Sequence, residues 1–250
     1  MIFRIAAMFA ASMCLLGCNE SQNLCDKVPS GSSKGGLLVH FDESEVPFAD
    51  SSGWNNVIES SGGVFSSTDA IKGRSALFDG TGEIQIKPCI SENIVFENKE
   101  DFTIDFWVKN ISRSRQQPLT IGDGMVTGIS FDFGDEDISP TGAAAGFWLF
   151  WNSQGAKAIV SGERFQFLDG IWHHIAAVRS AGIITAYIDG TSVGSAKTEE
   201  QIGSPTLPTS IGFASSSRKQ YHWYGFIDEL RIAKGAALWT TNFDPKNYLP

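Results

Sequence analysis

The stretch "DFTIDFWVK", residues 101–109, alternates without a break: Phe102, Ile104, Phe106 and Val108 fall on one side, and Thr103, Asp105, Trp107 and Lys109 on the other. A period of two is the mark of an extended strand with one face buried. Similar short runs recur through the chain, among them "SALFDG", "GEIQIK", "GISFDF", "GFWLFW", "WHHIAAVR", "IITAYIDG" and "YGFIDELRIA", with Gly, Asp and Pro between them. "SSGWNNVIESSGG" reads as a Ser/Gly-rich loop, and one short helical turn is expected at "GAALWTT". No stretch sustains a helical period, so the chain is confined to antiparallel strands and tight turns, as in an all-β sandwich or barrel. With 250 residues, 42% of them hydrophobic, it is long enough for one well-buried core.

The N-terminus follows other rules. In "MIFRIAAMFAASMCLLGC" a single charge, Arg4, precedes an apolar run that ends at Gly17-Cys18. This is the layout of a secretory signal, and the run is short for a membrane-spanning helix. Leu15-Leu16-Gly17-Cys18 resembles a bacterial lipobox. The resemblance implies removal of residues 1–17 and lipidation of Cys18, with acyl chains holding the protein at a membrane. Asn19 after the cysteine implies the outer membrane or cell surface of a bacterium. An ordinary cleaved signal with a chance cysteine is the alternative. Residues 18–35 are polar and Ser/Gly-rich, a tether to a domain over 36–250. With Cys14 removed and Cys18 lipidated, Cys25 and Cys89 remain as an even pair in an oxidising compartment. The arithmetic predicts a Cys25–Cys89 disulfide; two free thiols are the alternative.

Charge and motifs narrow the function. A net charge of −9 repels phosphate, and no run of Lys and Arg offsets it, so nucleic acid is not an expected partner. Acidity does suit calcium, which prefers oxygen ligands. His173 and His174, two of only four histidines, are adjacent on a strand and so point to opposite faces; they cannot grip one ion and read as framework. No His-Glu-x-x-His helix occurs, and no Gly-x-Ser-x-Gly stretch sits between a strand and a helix as a nucleophile elbow does. Glycoside cleavage needs two carboxylates on opposite sides of the bond. Asp135, Glu136 and Asp137 fall in a Gly-bounded turn, and Asp228 and Glu229 alternate faces. An enzyme is not expected.

Four stretches taken together, "SALFDGTGEIQI", "DFTIDFWVK", "GIWHHIAAVRSAGIITAYIDG" and "YGFIDELRIAKGAALWTTNFDP", resemble the laminin G-like domains of the concanavalin A-like lectin/glucanase superfamily, in their bacterial and phage form. The resemblance covers about Gly36 to Pro250. It implies a jelly-roll β-sandwich of two curved antiparallel sheets. It also implies a structural calcium near the first and last strands, for which Asp42 and Asp228 are the candidate ligands and Asp50 a weaker third. The related β-glucanases carry Glu, Asp and Glu at alternate positions of one strand, and this chain has no such run. Trp107, Asp105, His173 and Arg179 are candidates to line a ligand groove, with Tyr221 and Trp223 on a rim loop. The expected role is non-catalytic binding of a glycan or surface protein by a lipid-anchored envelope protein. The alternatives are a diverged glycoside hydrolase of the same superfamily, or a structural envelope or assembly subunit.

Overall fold

The computed structural model describes residues 35–87, 94–112, 114–122, 128–134, 146–151, 157–161, 169–203, 207–213 and 221–250. Cys18, Cys25 and Cys89, and with them the lipidation and disulfide expectations, lie outside the described residues, as do Asp135, Glu136 and Asp137. The described strands form two antiparallel sheets. The eight-stranded sheet runs β13 (Thr191–Lys197), β12 (Ile183–Ile188), β11 (His173–Ser180), β6 (Phe102–Asn110), β15 (Tyr224–Lys234), β4 (Ser75–Asp79), β3 (Val64–Ser67), and β1 (Gly36–Val39) pairs with the second half of β15. The seven-stranded sheet runs β10 (Lys157–Ser161), β9 (Gly146–Trp151), β8 (Ile129–Gly134), β7 (Gln116–Ile121), β14 (Thr209–Ile211), β5 (Glu83–Lys87), β2 (Val57–Ser61). This is the jelly-roll sandwich of the concanavalin A-like type.

The inner faces are those that alternation picks out. Phe102, Ile104, Phe106 and Val108 of β6 and Ile175 and Ala177 of β11 share one core with Ile84 and Ile86 of β5 and Phe131 and Phe133 of β8. The Phe106 and Phe131 rings meet edge to face across the sandwich, 5.1 Å between centres. Burying each such ring contributes roughly 1.5–3 kcal/mol. The hairpin between β11 and β12 turns on Ala181 (φ 48) and Gly182 (φ 77), and that between β12 and β13 on Asp189 (φ 49) and Gly190 (φ 73). Two successive positive φ values are what a two-residue hairpin of matching twist requires.

Three expectations change. The stretch read as loop contains β2, and β3 follows it. Val57, Ile58, Val64 and Phe65 supply the branched and aromatic side chains, and Gly62 (φ 71) turns between them. No helix forms at "GAALWTT"; the one helical turn described is Pro245–Tyr248, capped by Asp244 accepting from the Lys246 amide. The third change matters most. The second face of β6 does not meet solvent or a groove along its middle: Thr103, Asp105 and Trp107 are buried. The C-terminal segment 235–250 crosses it as a strap. Trp239 and Phe243 stack at 3.9 Å and 6° and cover Ala176, Val178 and Tyr187. His174 stands edge-on to both rings, at 5.8 and 5.7 Å. Thr103 Oγ1 accepts from the Leu238 amide and donates to the Ala236 carbonyl, both 2.9 Å. The Phe243 amide donates to the Gly190 carbonyl at 3.0 Å. A Cβ at Gly190 would stand 1.8 Å from the Phe243 oxygen, so glycine serves there for space as well as for φ.

If the strap completes the hydrophobic structure, Trp239→Ala loses about 3–5 kcal/mol of unfolding free energy. Urea titration of the variant measures this, and a loss below about 1 kcal/mol would show that the strap merely rests on the sheet.

Candidate binding site

The residues proposed for one groove are dispersed. His174 pairs with Trp107 and Ala176 with Asp105, which puts Trp107 and Asp105 beneath the strap. Asp105 accepts a two-pronged bond from Arg231, 2.9 Å to each oxygen, and lies 3.2 Å from His174 Nε2. His173 and Arg179 sit on the opposite face of the sheet, at the two ends of the core row formed by Ile175 and Ala177. Arg179 is fully buried and donates to the carbonyls of Glu97 (2.6 Å), Glu100 (2.6 Å) and Glu200 (2.7 Å). Burial pulls its pKa down to about 10 against the pull of Glu100, Asp101 and Glu200, so it stays charged at neutral pH. It closes one end of the sandwich. Trp223 belongs to the core, its ring 5.6 Å from that of Phe133.

The calcium candidates accept from amide groups, Asp42 and Asp228 from the same loop. Asp42 accepts from the Arg74 amide at 2.8 Å. Asp228 accepts from the Ile71 (2.7 Å), Lys72 (3.2 Å) and Glu229 (2.9 Å) amides. Asp50 accepts from Leu38, Ser52 and Asn56 and organises the loop after β1. Among the described residues no three His, Cys, Asp or Glu side chains come together as a ligand set. The donors around these carboxylates are amides.

Tyr221 is the one candidate that meets a polar cluster facing outward, and the cluster belongs to the other sheet. Ile129, Phe131 and Phe133 of β8 point inward, which leaves Ser130 and Asp132 on the outer face. Asp132 is fully buried. Arg115 Nε donates to its Oδ2 at 3.0 Å, Ser130 Oγ donates to its Oδ1 at 2.6 Å, and Gln117 Nε2 donates to the same Oδ1. Burial pushes the Asp132 carboxyl above its usual range, with the Arg115 charge and the Ser130 and Gln117 bonds acting against it. The Arg115 guanidinium lies over the Tyr221 ring at 4.5 Å, and the Gln117 amide donates to the Tyr221 carbonyl at 2.9 Å. Tyr221 has φ 57, a left-handed conformation uncommon for a bulky residue, held here by these contacts.

From Ser130 the outer face continues across the sheet. Register sets Ser130 beside Thr120, Thr120 beside Ser210, Ser210 beside Gln85, and Gln85 beside Glu59. Direct cross-strand neighbours stand about 5 Å apart. Thr120 Oγ1 and Ser210 Oγ are buried and have no hydrogen-bond partner. Buried hydroxyls left unmatched cost free energy, and this pair lies under cover beside the cluster, which opens outward only at half-buried Arg115 and Tyr221. The sequence signal was present in "GISFDF", where Ser130 and Asp132 share a face by simple alternation.

A laminin G family model of the concanavalin A-like lectin/glucanases superfamily matches residues 78–240. No curated protein matches the chain in sequence. Solved structures resemble it in fold. Domain 4 of AbnA, an extracellular GH43 arabinanase from Geobacillus stearothermophilus, solved in complex with arabinotriose, is 16% identical with a TM-score of 0.57, over 82% of this chain and 95% of that one. The binding domain of Paraclostridial Mosquitocidal Protein 1 is 17% identical, TM-score 0.60, over 86% and 50%. The binding domain of a botulinum neurotoxin of type DC, solved with rat synaptotagmin II, is 15% identical, TM-score 0.60, over 86% and 52%. The chain thus spans about half the length of each toxin domain and nearly all of the arabinanase domain.

Outside the cluster, His173 forms a titratable latch. Its Nδ1 lies 2.8 Å from Asp189 and its Nε2 3.0 Å from Asp169. Burial works against the charged ring, but the two carboxylates outweigh it and raise the pKa above 6.5. A raised folded pKa means that this stabilisation is complete below the unfolded value of about 6.5 and is lost as pH rises through the folded one. The melting temperature is therefore expected to decline as pH rises above about 6.5, and His173→Gln to flatten the decline. A slope that the variant leaves intact would remove His173 as its source.

Proposed function

Since the chain belongs to the concanavalin A-like lectin/glucanases superfamily, we propose that it is a non-catalytic glycan-binding module. The sugar is taken by the outer face of the seven-stranded sheet, beginning at Arg115 and Tyr221. The observation that carries this reading is the half-buried Arg115 guanidinium held over the Tyr221 ring by the fixed Asp132–Gln117 cluster. An aromatic ring flanked by oriented donors and acceptors is the chemistry that recognises sugar hydroxyls and the apolar face of a ring. Arg115 and Tyr221 are half-buried and form the accessible end. The arabinotriose bound to the arabinanase domain of similar fold is consistent with a sugar ligand.

Binding is favoured over hydrolysis by how the outward acids are held. Glu59 and Glu83, diagonal neighbours on β2 and β5, are tied to Lys87 and to the Ser61 hydroxyl, whereas a glycosidase keeps one carboxylate as base or nucleophile and one as proton donor across the bond. Asp132 is moreover bound to Arg115, which suits a recognition group more than a proton donor.

A glycan-array screen of the full-length chain, followed by calorimetry on the best ligand, tests the reading. Tyr221→Ala and Arg115→Ala should each weaken binding by at least about tenfold, or 1.4 kcal/mol. His173→Gln should leave it unchanged. Unaltered affinity in both site variants would move the site elsewhere, and an array without any ligand would defeat the glycan reading.

The N-terminal reading completes the proposal: a lipid on Cys18 anchors the module at a bacterial envelope, with residues 18–35 as its tether. Cys18→Ala should then shift the protein from the membrane pellet to the soluble fraction. Fractionation identical to that of the parent would refute the anchor.

A further inference from the structure

The strap leaves one corner of the eight-stranded sheet uncovered. Loop 68–74 forms its border: Ile71 and Lys72 donate to Asp228, while Asp69 accepts from Lys109 Nζ (2.7 Å) and from Trp172 Nε1 (3.0 Å). Beyond the loop, register sets Lys109, Phe226, Leu77 and Phe65 side by side across β6, β15, β4 and β3. Trp172 closes the row, its ring 6.0 Å from that of Phe226. In the next row Tyr224 stands beside Asp79, and its carbonyl accepts from the Ile111 amide at 3.2 Å. Seven large apolar side chains are exposed among the described residues. Four of them belong to this corner: Phe65 (52%), Ile111 (40%), Tyr224 (43%) and Ile171 (56%), the last next in the chain to Trp172. A gathering of that kind marks an interaction surface.

Size and charge select the occupant. The longer row spans four strand spacings, about 19 Å, and two rows cover about 14 Å along the strands, roughly 270 Å² in all. A stable protein–protein interface takes about 800 Å² from each partner, so the corner is too small for a dimer and fits a single extended segment. Its rim is acidic. Asp69, Asp79 and Asp169 border it; Lys109, the one cation in the row, is tied to Asp69 and His173 to Asp169, which leaves Asp79 as the rim carboxylate without a basic partner among the described residues. A second copy of a chain with net charge −9, or an anionic membrane, would be repelled. We propose that this corner docks an extended protein segment in which apolar side chains alternate with Lys or Arg. The apolar groups lie along the Trp172–Phe226–Leu77–Phe65 row and the cations meet the rim carboxylates. This surface and the proposed sugar site are on different sheets, so neither reading rests on the other.

Panning a phage-displayed random peptide library against the full-length chain in detergent tests the proposal. Selected peptides should be enriched in Lys and Arg spaced between apolar residues. They should lose at least about tenfold in affinity for the Phe65→Ser/Tyr224→Ser double variant. Lys197→Ala, at an exposed position on the far edge strand of the same sheet, should bind them as the parent does. Because the double variant could fold poorly, Asp79→Lys/Asp169→Lys gives a second reading: affinity should fall and lose most of its salt dependence. Peptides without basic residues, binding that survives both double variants, or no selected peptide at all would overturn the proposal. So would a dimer in sedimentation that Phe65→Ser dissociates, since the corner would then belong to a second copy.

Discussion

The eight-stranded sheet carries apolar side chains on both of its faces, and much of the rest of the structure follows from covering the second one. Its inner face meets the seven-stranded sheet. Its outer face has Ala176, Val178, Tyr187 and Trp107, none of which water solvates well. A lone sandwich would expose them. The chain instead returns after β15 and lays Trp239 and Phe243 across them, with Arg231 stacked on Trp239 at 5.3 Å and bound to Asp105 below. One cation thus satisfies a buried carboxylate and packs against the cover. Removal of either side would leave the other unmatched, the costly case for a buried pair.

The same covering explains how β15 serves two neighbours on one side. Its first half pairs with β4 and its second with β1, and the register against β6 shifts between Asp228 and Arg231. Glu229 takes φ 49 at that break. The bulge sends the Asp228 side chain out to hold loop 68–74 and the Glu229 side chain to His40 at 2.8 Å. Burial lifts the Asp228 carboxyl to about 7, against its amide bonds and with the Glu229 charge adding to the rise. A break in one strand therefore fixes the loop that divides the covered part of the face from the exposed corner.

Alternation in the sequence is a statement about sides, and it was reliable as such: the apolar sides of "DFTIDFWVK" and "IITAYIDG" are the core sides. What lies over the other side is a matter of partners distant in the chain. Thr103, Asp105 and Trp107 read as a groove because nothing near them in sequence could cover them, whereas their cover begins more than a hundred residues later. Placing His173 and Arg179 with Trp107 failed for a related reason: each strand was read alone, and the register between β11 and β6 decides which sides coincide. β2 and β3 were hidden by Ser and Gly, residues that mark turns but that also sit in short edge strands. Tyr221 was found by its aromatic, polar neighbourhood. The role of Asp132 is not legible in the sequence although its face is, because Arg115 and Gln117 meet it only once β7 and β8 pair.

The two outer faces differ in chemistry, and that difference bears on how the molecule works. On the seven-stranded sheet the half-buried end is a guanidinium over a phenol ring, groups that recognise by hydrogen bonds and ring contact. On the eight-stranded sheet the open corner is aromatic and aliphatic within an acidic rim, where contact area supplies affinity and charge supplies selection. Because the sheets stand back to back, ligands on the two faces cannot compete sterically at their binding groups. A rigid core of interlocked rings such as Phe106 and Phe131 lies between them, so binding at one face has no built-in hinge through which to alter the other. Simultaneous engagement would then add effective concentration without cooperativity in either site's own affinity.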